Sequence, residues 1–204
     1  PIMGDLDYIR DPKAIEKRSF EIIEEHVGKL DCDLAEWTVI QRVIHTTADF
    51  EFADLMRFSS GALKSGSAAL RRGCRIYTDT RMAEAGINKK ALKKLGCEAT
   101  CFVDSPQAAA VAKQEGITRS MASVMMAAQD KDIKIFALGN APTALYKLIE
   151  LIREQKVNPA LIIGVPVGFV GAEESKATLA KLSVSHIITQ GRKGGSTVAA
   201  AIVN

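Results

Sequence analysis

Aromatic residues make up only 5% of this 204-residue chain, with one Trp, three Tyr and seven Phe. A core of any size must therefore be built from Ala, Val, Ile and Leu, and the 47% hydrophobic content is enough for one. Cysteine is also scarce. Cys32, Cys74, Cys97 and Cys101 form no CxxC pair, and a chain this long needs no disulfide staples, so buried thiols are expected. No excess of one charge stands out: the formal net charge of +3 implies no nucleic-acid partner and suits an anionic ligand no worse than a neutral one. No apolar run reaches membrane-spanning length and no secretory signal opens the chain, so a cytoplasmic location and no membrane partner are expected. Pro1 is not an encoded start, which implies a processed or trimmed N-terminus. No His/Asp/Glu spacing suggests a metal site, and neither a Walker sequence nor a GxGxxG fingerprint is present.

What is there is an ordered alternation. The first seventy or so residues read as helical. Asp11 can cap a helix with Pro12 at its first position, and Ile15, Ser19, Ile22 and Ile23 share one of its faces. A second helix runs from Leu34 through Trp37, Ile40 and Ile44 to near His45. Helix-compatible spacing continues over Phe50–Met56 and Gly61–Leu70. Short β-branched or apolar runs follow at Arg75–Thr78, Ala99–Val103, Ile133–Leu138, Leu161–Val165 and His186–Thr189. Helical patterns separate them at Lys89–Leu95, Ala108–Gln114, Ser120–Gln129, Ala144–Glu154 and Glu173–Leu182. This alternation predicts an α/β fold: a doubly wound parallel sheet of about five strands with an N-terminal helical layer, in a single domain over residues 1–204.

An open α/β sheet gathers its ligand at the turns that enter its helices. Five turns are candidates: TDTRM (Thr78–Met82), GITRS (Gly116–Ser120), GNAPTAL (Gly139–Leu145), GVPVGFVGAEESK (Gly164–Lys176) and GRKGGS (Gly191–Ser196). Between Gly164 and Phe169 the residues are small or β-branched, so a flat ligand can approach the backbone. In GNAPTAL, Asn140 or Thr143 can cap a helix whose free N–H groups would receive an anion. Arg119 at a helix start is poorly matched to the helix dipole; a carboxylate ligand accounts for it, and so does plain solvation. Arg192 and Lys193 raise the same question beside two glycines. Glu173, Ser175 and Lys176 read as a helix start. Among the three histidines, His45 is the acid–base candidate. Thr46, Thr47 and Asp49 follow it at once, and an imidazole can give a proton at neutrality, although a solvated helix-end histidine has the same spacing. His26 reads as a surface helix-end residue and His186 as a packed strand residue.

Taken in order, DYIRDPKAIEKRSFEII, RVIHTTADFEF, TDTRM, GITRS, GNAPTAL, GVPVGFVGAEESK and GRKGGS resemble the precorrin-8X methylmutase family, also called cobalt-precorrin-8 methylmutase. One departure is Ala48, where many members have Gly. The resemblance implies a flavodoxin-like fold and a cofactor-free isomerase of cobalamin biosynthesis, working as a homodimer on a tetrapyrrole. That reaction moves a methyl group from C-11 to C-12 of a corrin precursor by a 1,5-sigmatropic shift, giving hydrogenobyrinate or its cobalt form, cobyrinate. The family's histidine corresponds to His45, as proton donor near the migrating methyl. The expected substrate contacts are Arg18, Ser19, Thr78, Thr80, Arg119, Ser120, Asn140, Thr143, Val167, Gly168, Phe169, Arg192, Lys193 and Gly194. Cations among them would meet peripheral carboxylates, and the 165–170 loop would face the ring. Two rivals stand beside this reading: a flavodoxin-like enzyme of a phosphorylated cofactor, and a non-catalytic corrinoid-binding protein.

Overall fold

The computed structural model describes residues 7–204, so the expectation about Pro1 lies outside the described residues. Helix α1 (Pro12–Val27) begins where the sequence places it: the Asp11 side chain accepts from the Ala14 amide at 2.8 Å, with proline in the first turn. Helix α2 (Leu34–Thr47) carries a full capping box between Asp33 and Glu36. A short α3 (Phe52–Leu55) leads into strand β1 (Met56–Phe58), and α4 (Ala62–Arg71) into β2 (Arg75–Thr78). Then follow α5 (Arg81–Gly86), α6 (Lys89–Leu95), β3 (Glu98–Thr100), α7 (Pro106–Glu115) and α8 (Arg119–Gln129). The rest of the chain forms β4 (Ile133–Leu138), α9 (Pro142–Arg153), β5 (Leu161–Gly164), α10 (Ala172–Leu179), β6 (His186–Thr189) and α11 (Ser196–Val203).

The sheet has six strands in the order β1-β6-β5-β4-β2-β3. Strands β2 to β6 pair in parallel; β1 pairs antiparallel with β6, Met56 opposite Thr189. The expectation of about five strands, all parallel, is therefore corrected to a mixed sheet of six. Phe52 and Met56 have helical spacing, and a three-residue strand has no periodicity of its own. The edge of β6, not local propensity, decides the conformation there. Two further helices escaped the sequence reading. Helix α5 is under two turns long, and α11 is apolar on all sides (STVAAAIV), so neither shows a face.

Alternate strand residues feed two cores, as the period of two requires. Ile76, Ile135, Ala137, Ile163 and Ile187 pack with α2, α4 and α11. Tyr77, Phe136, Leu138, Ile162 and Ile188 pack with α8, α9 and α10. A sheet covered on both faces explains the near-continuous apolar strands. From β2 the chain crosses outward to β3; from β4 it proceeds to β5 and β6 on the other side. The direction of winding thus reverses between β2 and β4, and their exit loops lie side by side. Cys74, Cys97 and Cys101 are buried free thiols and Cys32 is half-buried; burial pushes the Cys74 thiol up to about 12. Among the described residues no helix is long and apolar enough to cross a membrane.

Candidate functional site at the carboxyl ends of the strands

The loop after β2 and the loop after β4 are joined by one buried side chain. Asp79, 1% exposed, accepts from the backbone N–H of Gly139 (2.9 Å), Asn140 (2.8 Å) and Ala141 (2.8 Å). The three amides that lead up to α9 are thus taken by an internal carboxylate, while the helix itself begins at Pro142. Neither Asn140 nor Thr143 caps α9: the cap position is Ala141, without a side-chain bond, and Asn140 is exposed. Burial pushes the Asp79 carboxyl up from its ordinary value, against the pull of the three donors. Local sequence gave no sign of this residue, because its partners lie sixty positions away. The only hint was an acid at the end of an apolar strand.

The remaining loops are tied to this pair. Thr80 caps α5 through the Ala83 amide (3.0 Å) and meets Ser196 Oγ at 2.7 Å. A Cβ on Gly139 would stand 2.6 Å from the Gly195 carbonyl oxygen, so only glycine lets the β4 and β6 loops touch. The β5 and β6 loops are hydrogen-bonded together, with the Gly168 amide on Arg192 O (3.0 Å) and the Gly195 amide on Val165 O (3.0 Å). Gly194 sits so close that a Cβ would come within 2.1 Å of Val165 O. The turn GITRS joins two helices, α7 and α8, and follows no strand. It still reaches the same end of the sheet, where Thr118 and Thr143 hydroxyls lie 3.2 Å apart.

His45 lies in the last turn of α2, exposed, with its ring stacked on Phe20 of α1 at 5.2 Å between centroids. His26 stacks likewise on Phe50 at 3.8 Å, so α1 holds the end of α2 at two points. The turn after His45 is connected to the β6 loop: Lys193 Nζ donates to Asp49 (2.6 Å) and Glu51 (2.5 Å). This contact pulls the Asp49 carboxyl below its ordinary value, first through the hydrogen bond itself. His186 is buried in β6 with Nδ1 2.8 Å from Val184 O, a packed strand residue as its position suggests.

The expected contact residues divide by what they already touch. Thr78 is fully buried and donates to Thr80 O (3.1 Å), which takes it off the surface. Lys193 is neutralised by its two carboxylates. On α1, Arg18 bonds Glu21 and Glu25 of its own helix, and Ser19 donates to Ile15 O (2.9 Å), so their hydrogen bonds stay within the helix. Arg119 and Ser120 open α8, Arg119 exposed. Arg192 is exposed with its guanidinium 5.9 Å over the Phe169 ring. Among the described residues neither Arg119 nor Arg192 has a carboxylate within ion-pair distance. Val167 is 43% exposed, while Phe169 and Val170 are 86% and 89% exposed. These loops therefore present a shallow face of apolar side chains beside the Arg192 guanidinium, and Arg119 stands at the start of α8, next to the start of α9. A cavity of about 380 Å³ opens elsewhere, between α2, α4 and α11, and none of the loop residues lines it.

Two residues of this region went unassigned by sequence alone. Lys176, read as part of a helix start, is 1% exposed, and burial pushes its amine down to about 8. Ala48 has φ 53° and ψ 29°, left-handed backbone, at the C-cap of α2. Glycine is at ease there and alanine is not. Ala48→Gly should raise stability by about 0.5–1 kcal/mol, the relief of strain exceeding the extra entropy of the unfolded chain. Thermal unfolding should show a midpoint higher by roughly 1–4 °C, and an unchanged midpoint would mean the turn carries no strain.

Comparison with known proteins adds sequence-wide evidence. The family model described as precorrin-8X methylmutase matches residues 14–204. The cobalt-precorrin-8 methylmutase of Salmonella typhimurium is 46% identical over 98% of this chain and 96% of its own length. The precorrin-8X methylmutase of Pseudomonas aeruginosa is 40% identical, again over 98% of this chain and 96% of its own. Among solved structures, the precorrin-8X methyl mutase from Thermus thermophilus superposes with a TM-score of 0.86 at 41% identity, covering 94% of this chain and 92% of that one.

Proposed function

The chain belongs to the precorrin-8X methylmutase family, and from that premise we propose that it is the isomerase of cobalamin biosynthesis that moves a methyl group from C-11 to C-12 of precorrin-8X or cobalt-precorrin-8. The observation that carries this reading is the 46% identity to a cobalt-precorrin-8 methylmutase, end to end. The bond to C-11 breaks as the bond to C-12 forms, so the shift takes no electrons and no group from outside. His45 protonates the conjugated ring near the migrating methyl, which withdraws electron density and lowers the barrier, and a proton returns from the ring to the imidazole after the shift, so that the product is an isomer. Its exposure at the end of α2 leaves the imidazole accessible to a ligand lying over the loops.

The shallow face suits a broad flat ring. Val167, Gly168 and Phe169 lie under the macrocycle, Gly194 lets the β5 and β6 loops that carry them pack together, and Arg119 and Arg192 meet peripheral carboxylates. Ser120, Asn140 and Thr143 add polar contacts beside Arg119, and Arg18 and Ser19 do so beside Phe20. Lys193 serves the site from its clamp on Asp49 and Glu51. Removing Arg119 should weaken product binding by about tenfold to a hundredfold, since a charge-assisted hydrogen bond contributes roughly 1.5–3 kcal/mol. Added salt should weaken the wild type more than Arg119→Ala, and Arg119→Lys should recover only part of the loss. Titration of coloured product at two salt concentrations measures both effects; equal low-salt affinity in wild type and Arg119→Ala would place Arg119 outside the site.

The order of the five parallel strands supports a flavodoxin-like fold extended by one antiparallel edge strand in a single domain, and a cytoplasmic setting is proposed with it. A site this open is consistent with a homodimer whose second copy covers Phe169 and Val170. The test of function is incubation with precorrin-8 or its cobalt form. The account requires a colour change with unchanged mass, because the product is an isomer with a longer conjugated system. Binding without a spectral change would favour a corrinoid carrier. Phosphorus in the purified protein, with a cofactor spectrum, would favour the phosphorylated-cofactor reading.

A further inference from the structure

We propose that Lys176 is a positioning residue for the reaction: its buried side chain holds the loop between β6 and α11, and that loop holds the turn that follows His45. Only the kinetic arm of the test rests on the methyl-shift reading. Lys176 lies in α10 and is 1% exposed, with no carboxylate within ion-pair distance among the described residues. Burying an amine without an opposite charge is costly, so its hydrogen bonds must matter. Nζ donates to the backbone oxygen of Lys193 at 2.9 Å and lies 3.4 Å from Thr189 Oγ1. Thr189 Oγ1 donates to the same oxygen at 2.7 Å. The Lys193 carbonyl is thereby fixed from α10 and from β6 together. The Lys193 side chain then reaches Asp49 and Glu51. The Asp49 amide in turn donates to Thr47 Oγ1 at 3.2 Å, within the last turn of α2 that bears His45. A chain of polar contacts thus runs from α10 to Thr47, two residues past His45, and Lys176 itself touches neither His45 nor the open face. Methionine would fill the same volume and supply no donor. The long stem of lysine lets α10 reach beneath the neighbouring loop.

The decisive variant is Lys176→Met, read by amide hydrogen exchange. The Gly168 and Gly195 amides, which bond across the β5 and β6 loops, should exchange at least tenfold faster. Ile135 and Phe136 in the central strand should be unchanged. In turnover, Lys176→Met should lower kcat about tenfold or more with KM within about threefold. Lys193→Met cuts the same chain at its other end and should do likewise, and the double variant should lose no more than the worse single. Lys176→Arg, which keeps a donor, should recover part of kcat. If Lys176→Met fails to fold, Thr189→Val removes the shared hydroxyl and should still speed exchange at Gly195. Unchanged exchange at Gly168 and Gly195 overturns the inference, and so does an equal rise at Ile135 and Phe136. Multiplying kcat losses in the double variant also overturn it. A wild type without turnover would refute the functional reading while the exchange result still decides the role of Lys176.

Discussion

Replacing His45 by alanine should cut single-turnover rate by about 10²–10⁴-fold, the usual worth of one positioned proton donor. The fold should survive this change. His45 is exposed, and its stacking contact is with Phe20 at the surface, so no core cavity opens. Stability should stay within about 1 kcal/mol of wild type, as for other surface substitutions. Product affinity should also hold, because the carboxylate contacts are assigned to Arg119 and Arg192. His26→Ala is the matched control: it too removes an exposed imidazole stacked between α1 and the α2 end, yet should leave the rate within a few-fold. A His45→Ala variant that reacts at nearly the wild-type single-turnover rate would remove His45 from the mechanism.

The largest effect on stability is expected at Asp79. Asp79→Ala leaves three backbone donors without a partner, and two of these contacts lie fully inside the protein. Each buried unsatisfied donor costs about 1–3 kcal/mol, and water can reach Asn140, so a loss of about 3–5 kcal/mol follows. In a chain of this length that lowers the thermal midpoint by roughly 6–20 °C. Asp79→Asn should cost less. Its oxygen, placed where Oδ2 now accepts from Asn140 and Ala141, keeps two bonds, while its NH₂ faces the Gly139 amide. Chemical denaturation of the three proteins measures the series. Asp79→Ala within about 1 kcal/mol of wild type would mean that the β2 and β4 loops hold together without the carboxylate.

These two residues mark how far the sequence could be read. The helix-end position of His45 was legible because it is set locally, where the helical pattern gives way to small polar residues, while its assigned role comes from the family resemblance. Each parallel strand was legible too, since a run such as Ile133–Leu138 between turn residues has few other readings. Strand β1 was not, because three residues next to the β6 edge take their conformation from that edge. Asp79, Lys176 and Lys193 were misread or passed over for the same reason. Their roles exist only once loops far apart in the chain are brought to one end of the sheet. In GNAPTAL the amides of Gly139, Asn140 and Ala141 hold the Asp79 carboxylate, a contact that nothing in the local sequence announces. Lys193 looked like a free cation until Asp49 and Glu51 were found beside it. Among the described residues Arg119 and Arg192 have no such partners, which is why the carboxylate contacts are assigned to them.

The central claim is that this chain moves one methyl group within one molecule. The most direct measurement uses precorrin-8 carrying ¹³C in the C-11 methyl group and ¹⁵N in its ring nitrogens, mixed with an equal amount of unlabelled substrate and incubated with stoichiometric protein. The account predicts that the ¹³C signal moves to the chemical shift of a C-12 methyl, with fully labelled and fully unlabelled product masses in the starting ratio. A label that stays at C-11 despite tight binding would contradict it and leave a corrinoid-binding protein without isomerase activity.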